Sequence, residues 1–296
     1  MKNQNKAYLY AFAAIILWST VAVPFKIGLR HFHFVHFLFI SVFIAVLVSF
    51  AILVFQNKLK LLSQFSIRQW TWAIIAGFIN PFFYYLILFK AYSILPAQIA
   101  QALNYTWPIM LVLLSIPFLG QRVNLKGLAS LLLGFLGVYL VASQGKPWPL
   151  QSSEPFGVFL CISSSIVWAG FWIINTKLKG DGVVNLFVNF AAGLIFTLPV
   201  AYSIPFNYHV PVMSWLAVIY VGIFEMGLTF VIWLSAMKLT ERTDKISNYV
   251  FLSPFMSLLF IYLILHEGIY FTTLAGLLLI ISSIFLTRYF GKKAKT

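Results

Sequence analysis

Long apolar stretches recur along the whole of this 296-residue chain. A helix of about 20 apolar residues crosses the roughly 30 Å hydrocarbon layer of a bilayer. Because 61% of the residues are hydrophobic and only 9% are charged, lipid must cover most of this surface. The sequence predicts an all-α integral membrane fold of ten transmembrane helices, near residues 7–29, 34–55, 70–90, 95–118, 125–143, 156–176, 184–203, 214–236, 246–265 and 269–288.

The second half of the sequence resembles the first at an offset of about 146 residues. The matching pairs are Trp18 with Trp168, Gly77 with Gly222, Pro108 with Pro254 and Gln121 with Glu267. We predict two repeats, residues 1–143 and 156–296, joined by a polar linker over residues 144–155. Each repeat holds five predicted spans, an odd number, so the second must be inverted relative to the first. Such a 5+5 inverted repeat is typical of secondary transporters, whose substrate site lies near the bilayer midplane.

The formal charge of +14 is distributed unevenly between the two sides of the predicted membrane. Sixteen lysines and arginines fall on one side, and Lys26, Arg30, Lys90 and Lys146 fall on the other. Positive charge is enriched in cytoplasmic loops, so both termini are predicted to be cytoplasmic. The basic charge therefore indicates membrane topology, not a nucleic-acid partner. Lys26, Arg30 and Lys90 lie at or near the outer ends of spans 1 and 3 and are expected to extend to the headgroups, with a role in gating or in attracting carboxylates as the alternative.

Residue patterns that support catalysis or cofactor binding are missing from the sequence. Cys161 is the only cysteine, so neither a disulfide nor a cysteine-based metal site is expected. His31, His33 and His36 lack a nearby carboxylate that would complete a metal site, and are expected in an interfacial loop. There is no Gly-rich phosphate loop and no protease signature. We expect no enzymatic activity, no metal and no cofactor.

Glu225 is the one acidic residue near the middle of a predicted span. An ionisable side chain is costly in hydrocarbon, so its presence there suggests a function. Its counterpart in the first repeat is Asn80, and the two are expected to face each other across a cavity. Glu225 is a candidate for proton coupling or for pairing with a substrate ammonium. The alternative is a protonated Glu225 that hydrogen-bonds a neighbouring helix.

The fourth span carries polar and aromatic residues at helical spacing. Gln98, Gln101, Tyr105 and Pro108 fall on one face of a helix, and Asn104 flanks it. Buried amides need partners, so this face is expected to contact protein or a cavity. Pro108 and Pro254 are predicted to break their helices at equivalent places and act as hinges, with an ordinary proline kink as the alternative. Asn248-Tyr249 resembles Asn104-Tyr105 two residues out of register.

Tryptophans near the midpoints of two spans are the predicted apolar walls of a binding site. The first span offers Trp18 and Ser19, and the sixth offers Trp168, Trp172 and Asn175 at helical spacing. Such rings stack on aromatic groups or hold a cation over their faces. Interfacial belts and plain helix packing are the alternatives. Tyr84 lies one turn after Asn80, and Trp233 lies two turns after Glu225. These two residues complete the predicted walls.

These motifs together resemble the EamA family of the drug/metabolite transporter (DMT) superfamily over nearly the whole chain. The resemblance rests on Trp18-Ser19, the span from Gly77 to Ala91, the helix end from Pro108 to Gln121, and Leu265-His266-Glu267. The motifs at residues 17–20 and 104–108 are similar to YddG-type aromatic amino acid exporters. The resemblance implies a central cavity lined by spans 1, 3, 4, 6, 8 and 9. His266 and Gln121 depart from the family's usual Gly-Glu pair at these helix ends.

We therefore predict a secondary active transporter of the bacterial inner membrane that works by alternating access. The resemblance implies export of small metabolites, most of all amino acids with aromatic or large apolar side chains. Its partners would be the substrate, the lipid bilayer and protons as candidate coupling ions. The first alternative keeps the fold and exports lipophilic cations, as a multidrug exporter does. The second alternative is a membrane enzyme or a receptor that transports nothing.

Overall fold

The computed structural model describes residues 3–120, 125–143, 145–146, 154–175, 178–240 and 249–293. These residues form helices joined by short turns, and no strand occurs among them. Gln121 and Asn248 lie outside the described residues, as does most of the predicted linker. The described part of the chain is all-α, as predicted.

The described part of the first half contains eight α-helices, several of which begin at polar caps. Ser66 accepts a hydrogen bond from the Gln69 amide while the Gln69 side chain accepts one from the Ser66 amide, a capping box that fixes the start of the third span. The helices are α1 (Gln4–Thr20), α2 (Ala22–Leu29), α3 (Phe34–Phe55), α4 (Ile67–Gly77), α5 (Tyr84–Ile94), α6 (Ala97–Asn104), α7 (Trp107–Leu119) and α8 (Leu125–Ala142).

Six helices of the second half are described. Asp181 caps the second of them by accepting hydrogen bonds from the amides of Val183 and Val184. The helices are α9 (Pro155–Asn175), α10 (Gly182–Tyr202), α11 (Val212–Tyr220), α12 (Thr229–Leu239), α13 (Ser253–Phe260) and α14 (Phe271–Lys293).

Among the described residues, seven stretches of helix are long and apolar enough to cross a membrane. They are Gln4–Leu29, Phe34–Phe55, Ile67–Ile94, Ala97–Phe118, Pro155–Asn175, Gly182–Tyr202 and Val212–Leu239. Three shorter apolar helices accompany them, at Ala129–Ala142, Val250–Leu265 and Phe271–Thr287. Each of these stretches overlaps one of the windows expected from the sequence. The chain is thus a helical membrane protein.

Two of the long spans are interrupted at their middles by wider, π-helical turns. The first interruption is Phe78–Phe83, where Asn80 has the non-helical dihedrals φ −145° and ψ 118°. The second is Val221–Leu228, which contains Glu225. Pro81 contributes to the first break because it lacks a backbone N–H. π-Turns often occur at functional sites, and both of these lie near the middle of their spans.

The last helices of the two predicted repeats, α8 and α14, pack tightly against each other. A Cβ on Gly134 would come within 2.5 Å of Ser283 Oγ, and one on Gly137 within 2.9 Å of Ile280 Cγ1. The offset of 146 residues pairs Gly134 with Ile280 and Gly137 with Ser283. Each glycine therefore packs against the counterpart of the other. A two-fold axis between the helices would produce this exchange of partners.

The helix ends at Gly120 and His266 share a left-handed backbone conformation. Gly120 follows α7 with φ 65°, and His266, its counterpart at the same offset, has φ 54°. Glycine adopts this conformation freely, whereas a side chain with a Cβ adopts it at a cost. His266 thus replaces the glycine expected from the family pattern, but the helix still ends in the left-handed conformation.

Candidate functional site

A buried cavity lies between α1, α2, α5, α6, α9 and α12. The space inside it that is open to the centre of a water-sized molecule is about 90 Å³. Its lining residues are Trp18, Val21, Phe25, Tyr84, Leu88, Tyr92, Gln101, Asn104, Tyr105, Trp107, Trp168, Trp172, Glu225, Trp233 and Val250. They come from spans 1, 3, 4, 6, 8 and 9, the set that the family resemblance implies.

Nine of the residues predicted to bind substrate lie together in this lining. They are Trp18, Tyr84, Gln101, Asn104, Tyr105, Trp168, Trp172, Glu225 and Trp233. Polar and tryptophan side chains in the middle of an apolar span are therefore a useful signal for the cavity. Their contact with a substrate stays a prediction.

The structure places the other three predicted residues outside the lining. Ser19 is buried and donates to the backbone oxygen of Ile15 at 2.6 Å and to Ser253 Oγ at 3.2 Å. Asn80 is buried in the first π-helical turn, where its Oδ1 accepts no hydrogen bond from any described residue. Asn175 ends α9. Asn80 and Glu225 were expected to face each other across the cavity, but only Glu225 lines it.

Aromatic rings from different helices contact one another around the cavity. The ring of Tyr84 lies 4.7 Å from that of Trp168, which meets the ring of Trp172 edge-on at 5.9 Å. On another wall, Trp18 and Trp233 lie 5.4 Å apart. Ring faces in this arrangement suit a planar apolar group or a cation.

Glu225 is the only charged residue among the described residues that line the cavity. It is 8% exposed. The hydroxyl of Tyr85 donates to its Oε1 at 2.9 Å, whereas Oε2 accepts no hydrogen bond from the described residues. Burial of a carboxylate without full pairing is costly, so this buried oxygen would be stabilised by a proton or by a ligand donor that reaches it. The alternative role predicted for Glu225, a hydrogen bond to a neighbouring helix, is met by Tyr85 at Oε1 but by no described residue at Oε2.

Two amide side chains of α6 supply further polar groups to the cavity. Gln101 Oε1 accepts a hydrogen bond from the Tyr92 hydroxyl at 2.5 Å. Asn104 Oδ1 accepts one from the Tyr84 hydroxyl at 3.2 Å, and Asn104 Nδ2 donates to Ser164 at 3.0 Å. The orientations of both amides are thereby fixed by tyrosines of α5 or by a serine of α9.

The polar face predicted on a continuous fourth helix is divided in the structure. Helix α6 ends at Asn104, and α7 begins at Trp107 with Pro108 in its first turn. Pro254 likewise lies in the first turn of α13, after a short 3₁₀ turn at Val250–Leu252. Proline is well tolerated at the start of a helix, where its missing N–H costs least. The two prolines thus follow interruptions of the same kind, and their role as hinges stays a prediction.

Gln98 turns away from the cavity toward the loop after the ninth span. Its Nε2 donates to the backbone oxygen of Gly268 at 2.7 Å, and its Oε1 accepts from the Tyr270 amide at 3.0 Å. In the same place Glu267 accepts hydrogen bonds from the amides of Ala97 and Gln98, at 3.1 and 3.4 Å. A carboxylate on these amides favourably neutralises the positive end of α6.

Lys26 completes this cluster from α2. Its ammonium donates to the backbone oxygens of Tyr92 and Leu95, at 2.9 and 2.7 Å, and so caps the end of α5. The turn between α5 and α6 is therefore held by a cation on one side and by the Glu267 carboxylate on the other. Lys26, expected to extend toward headgroups, instead binds backbone oxygens.

An ion-pair cluster lies near the start of α10, at the ends of the long spans. Asp181 Oδ2 is 2.9 Å from Lys58 Nζ and 3.5 Å from Lys238 Nζ. Partial burial opposes ionisation of Asp181, but the hydrogen bonds from Lys58 and the Val183 amide outweigh it, so its pKa lies below the usual range. Asp181 is thus charged at neutral pH and links the ends of three spans.

Sequence reasoning missed several residues of the site. Tyr85 and Tyr92 are fully buried and hold Glu225 and Gln101, but neither was singled out. Tyr84, Leu88 and Tyr92 recur at i, i+4 and i+8 on α5, and this spacing could have identified them as one lining face. The hydrogen bonds of Tyr85 depend on the tertiary structure and leave no such pattern.

A bundle of apolar helices around an aromatic cavity, with one carboxylate among the lining residues that the structure describes, defines a helical membrane protein with an internal polar cavity. Comparison with known sequences identifies the family of this protein. The chain belongs to the EamA-like transporter family, whose profile matches residues 5–143 and again residues 155–289. It is therefore a membrane transporter.

Similar proteins span most of the chain at low identity. An uncharacterized transporter of Archaeoglobus fulgidus is 24% identical over 96% of this chain and 97% of its own length. The aromatic amino acid exporter YddG of Ancylobacter novellus is 25% identical over 80% of this chain and 81% of its own. A solved crystal structure superimposes with a TM-score of 0.69 at 19% identity over 99% of both chains. That structural match shows the fold.

Proposed function

We propose that this protein is a secondary active transporter that exports amino acids with aromatic or large apolar side chains across the bacterial inner membrane. The observation that carries the proposal is Glu225, whose Oε2 has no partner among the described residues, within a cavity lined by aromatic rings. An ammonium group pairs with the carboxylate while an aromatic side chain packs against the rings. The similarity to an aromatic amino acid exporter supports the same substrate class.

In this proposal the lining residues divide the substrate between them. Trp18, Trp168 and Trp172 bind the apolar part, with Tyr84 and Trp233 completing the walls. Asn104, Tyr105, Gln101 and Glu225 meet the polar and charged groups. Ser19, Asn80 and Asn175 lie outside the cavity lining, so they would reach substrate only in another conformation.

We further propose that transport proceeds by alternating access between two inverted repeats of five spans. The two separate matches to the family profile, at residues 5–143 and 155–289, support the duplication. The exchanged contacts of Gly134 and Gly137 with Ser283 and Ile280 support a two-fold relation between the halves. Pro108 and Pro254 would act as hinges at equivalent interruptions, and Glu225 would carry the coupling proton. Both termini would lie in the cytoplasm.

A second candidate function is export of lipophilic cations. The specific observation that favours it is the charge of the cavity, because no lysine or arginine occurs among the described lining residues to neutralise a substrate carboxylate. A cation needs only Glu225 and the ring faces.

Flux into proteoliposomes tests both candidates. Labelled phenylalanine, a labelled quaternary ammonium compound and a labelled small amino acid would be offered with and without a pH gradient. Faster movement of phenylalanine than of the other two supports the amino acid proposal, and dependence on the gradient supports proton coupling. Movement of the ammonium compound alone would support the second candidate. No flux of any compound would contradict both.

A further inference from the structure

Two buried tyrosines on α5 control the polar groups that the cavity offers. Tyr85 and Tyr92 are seven residues apart, so they lie on the same side of the helix two turns apart. Tyr85 is 0% exposed and Tyr92 is 1% exposed. Neither side chain carries a charge that would bind a substrate directly, and each donates its hydroxyl to a lining residue from another helix.

The two hydrogen bonds leave different atoms free. Tyr85 occupies Oε1 of Glu225, and Oε2 has no partner among the described residues. Tyr92 occupies Oε1 of Gln101, whose Nε2 donates to none of the residues that the structure describes. An amide whose oxygen is fixed in this way presents only its N–H groups to the rest of the cavity. The tyrosines therefore leave one anionic acceptor and one neutral donor.

Trp172 adds a second neutral donor. Its Nε1 is buried without an acceptor among the described residues, and its ring lines the same cavity. A buried N–H without a partner is destabilising, so an acceptor on the ligand gains free energy by meeting it. These contacts thus give the cavity one acceptor for a positively charged donor and two N–H donors for a carbonyl or carboxylate, beside the other polar groups of its lining.

From these contacts we propose that Tyr85 and Tyr92 are positioning residues that fit the cavity to a zwitterion. Tyr85 holds Glu225 for the ligand ammonium, and Tyr92 turns Gln101 so that its Nε2 meets the ligand carboxylate. This assignment rests on the proposed function, since it names how the same cavity recognises an amino acid. It explains how a carboxylate is bound where the described lining offers no cation.

Three ligands that differ only in their polar groups test the assignment. Phenylalanine has both groups, 2-phenylethylamine lacks the carboxylate, and 3-phenylpropanamide lacks the ammonium but keeps a carbonyl. Their dissociation constants would be measured by calorimetry on the full chain in nanodiscs. Tyr92→Phe should weaken phenylalanine and the amide about threefold to tenfold, the usual effect of one lost hydrogen bond, and leave the amine unchanged. Tyr85→Phe should weaken phenylalanine and the amine but not the amide.

Two controls separate positioning from folding. Phe89→Leu perturbs the packing of α5 next to Tyr85. Phe89 is not a lining residue and its lining neighbour Phe25 carries no polar group, so the variant should affect the three ligands equally. In a Gln101→Leu background, Tyr92→Phe should have no further effect on phenylalanine, because Tyr92 acts through Gln101. If Tyr92→Phe does not fold, Gln101→Leu alone should still spare the amine.

The outcomes separate failure of the tyrosine assignment from failure of the proposed function. Equal weakening of all three ligands in either tyrosine variant, or additive losses in the double variant, would overturn the assignment alone. If the wild-type chain binds none of the three ligands, the proposed function fails and the assignment fails with it.

Discussion

Replacement of Glu225 by Gln removes the only charge among the described lining residues and changes almost nothing else. The amide has the shape of the carboxyl group and keeps an oxygen that can accept the hydrogen bond from Tyr85, now 2.9 Å from Oε1. We therefore expect the fold to persist, with little change in the midpoint of thermal unfolding. The perturbation isolates the interaction between the carboxylate and a substrate ammonium.

The size of the effect follows from burial. Glu225 is 8% exposed and its Oε2 is unpaired among the described residues, so a bound ammonium would form a desolvated charge pair. Truncation of one partner of such a pair costs about 2–5 kcal/mol. Because glutamine still accepts a hydrogen bond, we expect the lower part of that range, about 2–3 kcal/mol, or roughly 30- to 150-fold in the dissociation constant.

Calorimetry on the wild type and on Glu225→Gln, with phenylalanine as ligand, measures this loss directly. The neutral 3-phenylpropanamide serves as the control, since it has no ammonium and should bind both proteins alike. The same variant in proteoliposomes should lose the dependence of flux on pH if Glu225 carries the coupling proton. An unchanged phenylalanine affinity would refute the charge-pair argument, and an unchanged pH dependence would refute the coupling role.

Three further predictions concern other parts of the molecule. Trp168→Ala removes the ring beside Tyr84 and should weaken aromatic ligands about threefold to tenfold more than small ones, as measured by competition binding; equal losses would indicate a packing role. His266→Gly relieves a left-handed backbone and should raise stability by about 0.5–1 kcal/mol in a thermal melt, and a lower melting temperature would contradict this. Asp181 has a lowered pKa in the folded protein, so its pairing with Lys58 stabilises at neutral pH and is lost as the pH falls through that pKa. Asp181→Asn should remove this loss of stability at acidic pH, which is worth less than about 1 kcal/mol because solvent partly screens the pair. Melting curves that keep the wild-type pH dependence would argue against this prediction.

The helical membrane fold could be predicted from the sequence because hydrocarbon imposes a simple rule. Every backbone group must be paired within a span, so long apolar windows become helices whatever their neighbours are. The same solvent excludes polar side chains from the lipid face. Glu225, Gln101 and Trp168 were therefore predictable as members of an internal site, and all three line the cavity.

The breaks within spans could not be predicted in the same way. The spacing of Gln98 and Pro108 assumed a continuous helix, but α6 ends at Asn104 and Gln98 bonds the loop at Gly268 instead. The first π-helical turn likewise puts Asn80 outside the lining that its counterpart Glu225 joins. Both outcomes depend on which neighbouring helix supplies partners for the freed groups. A residue pattern within one span does not contain that information.

Lys26 and Glu267 form a clamp on the turn between α5 and α6. In the proposed alternating-access cycle, this clamp would link opening of the cavity to hydration. Lys26 and Glu267 satisfy two backbone oxygens and two backbone amides at this turn. A motion that separates α6 from Glu267, or α5 from Lys26, exposes these groups, and each unpaired buried group costs about 1–3 kcal/mol. The clamp can release at low cost only if water takes the place of the departing side chains. In the proposed alternating-access cycle, entry of water at this end would therefore be part of the conformational change and not merely its result.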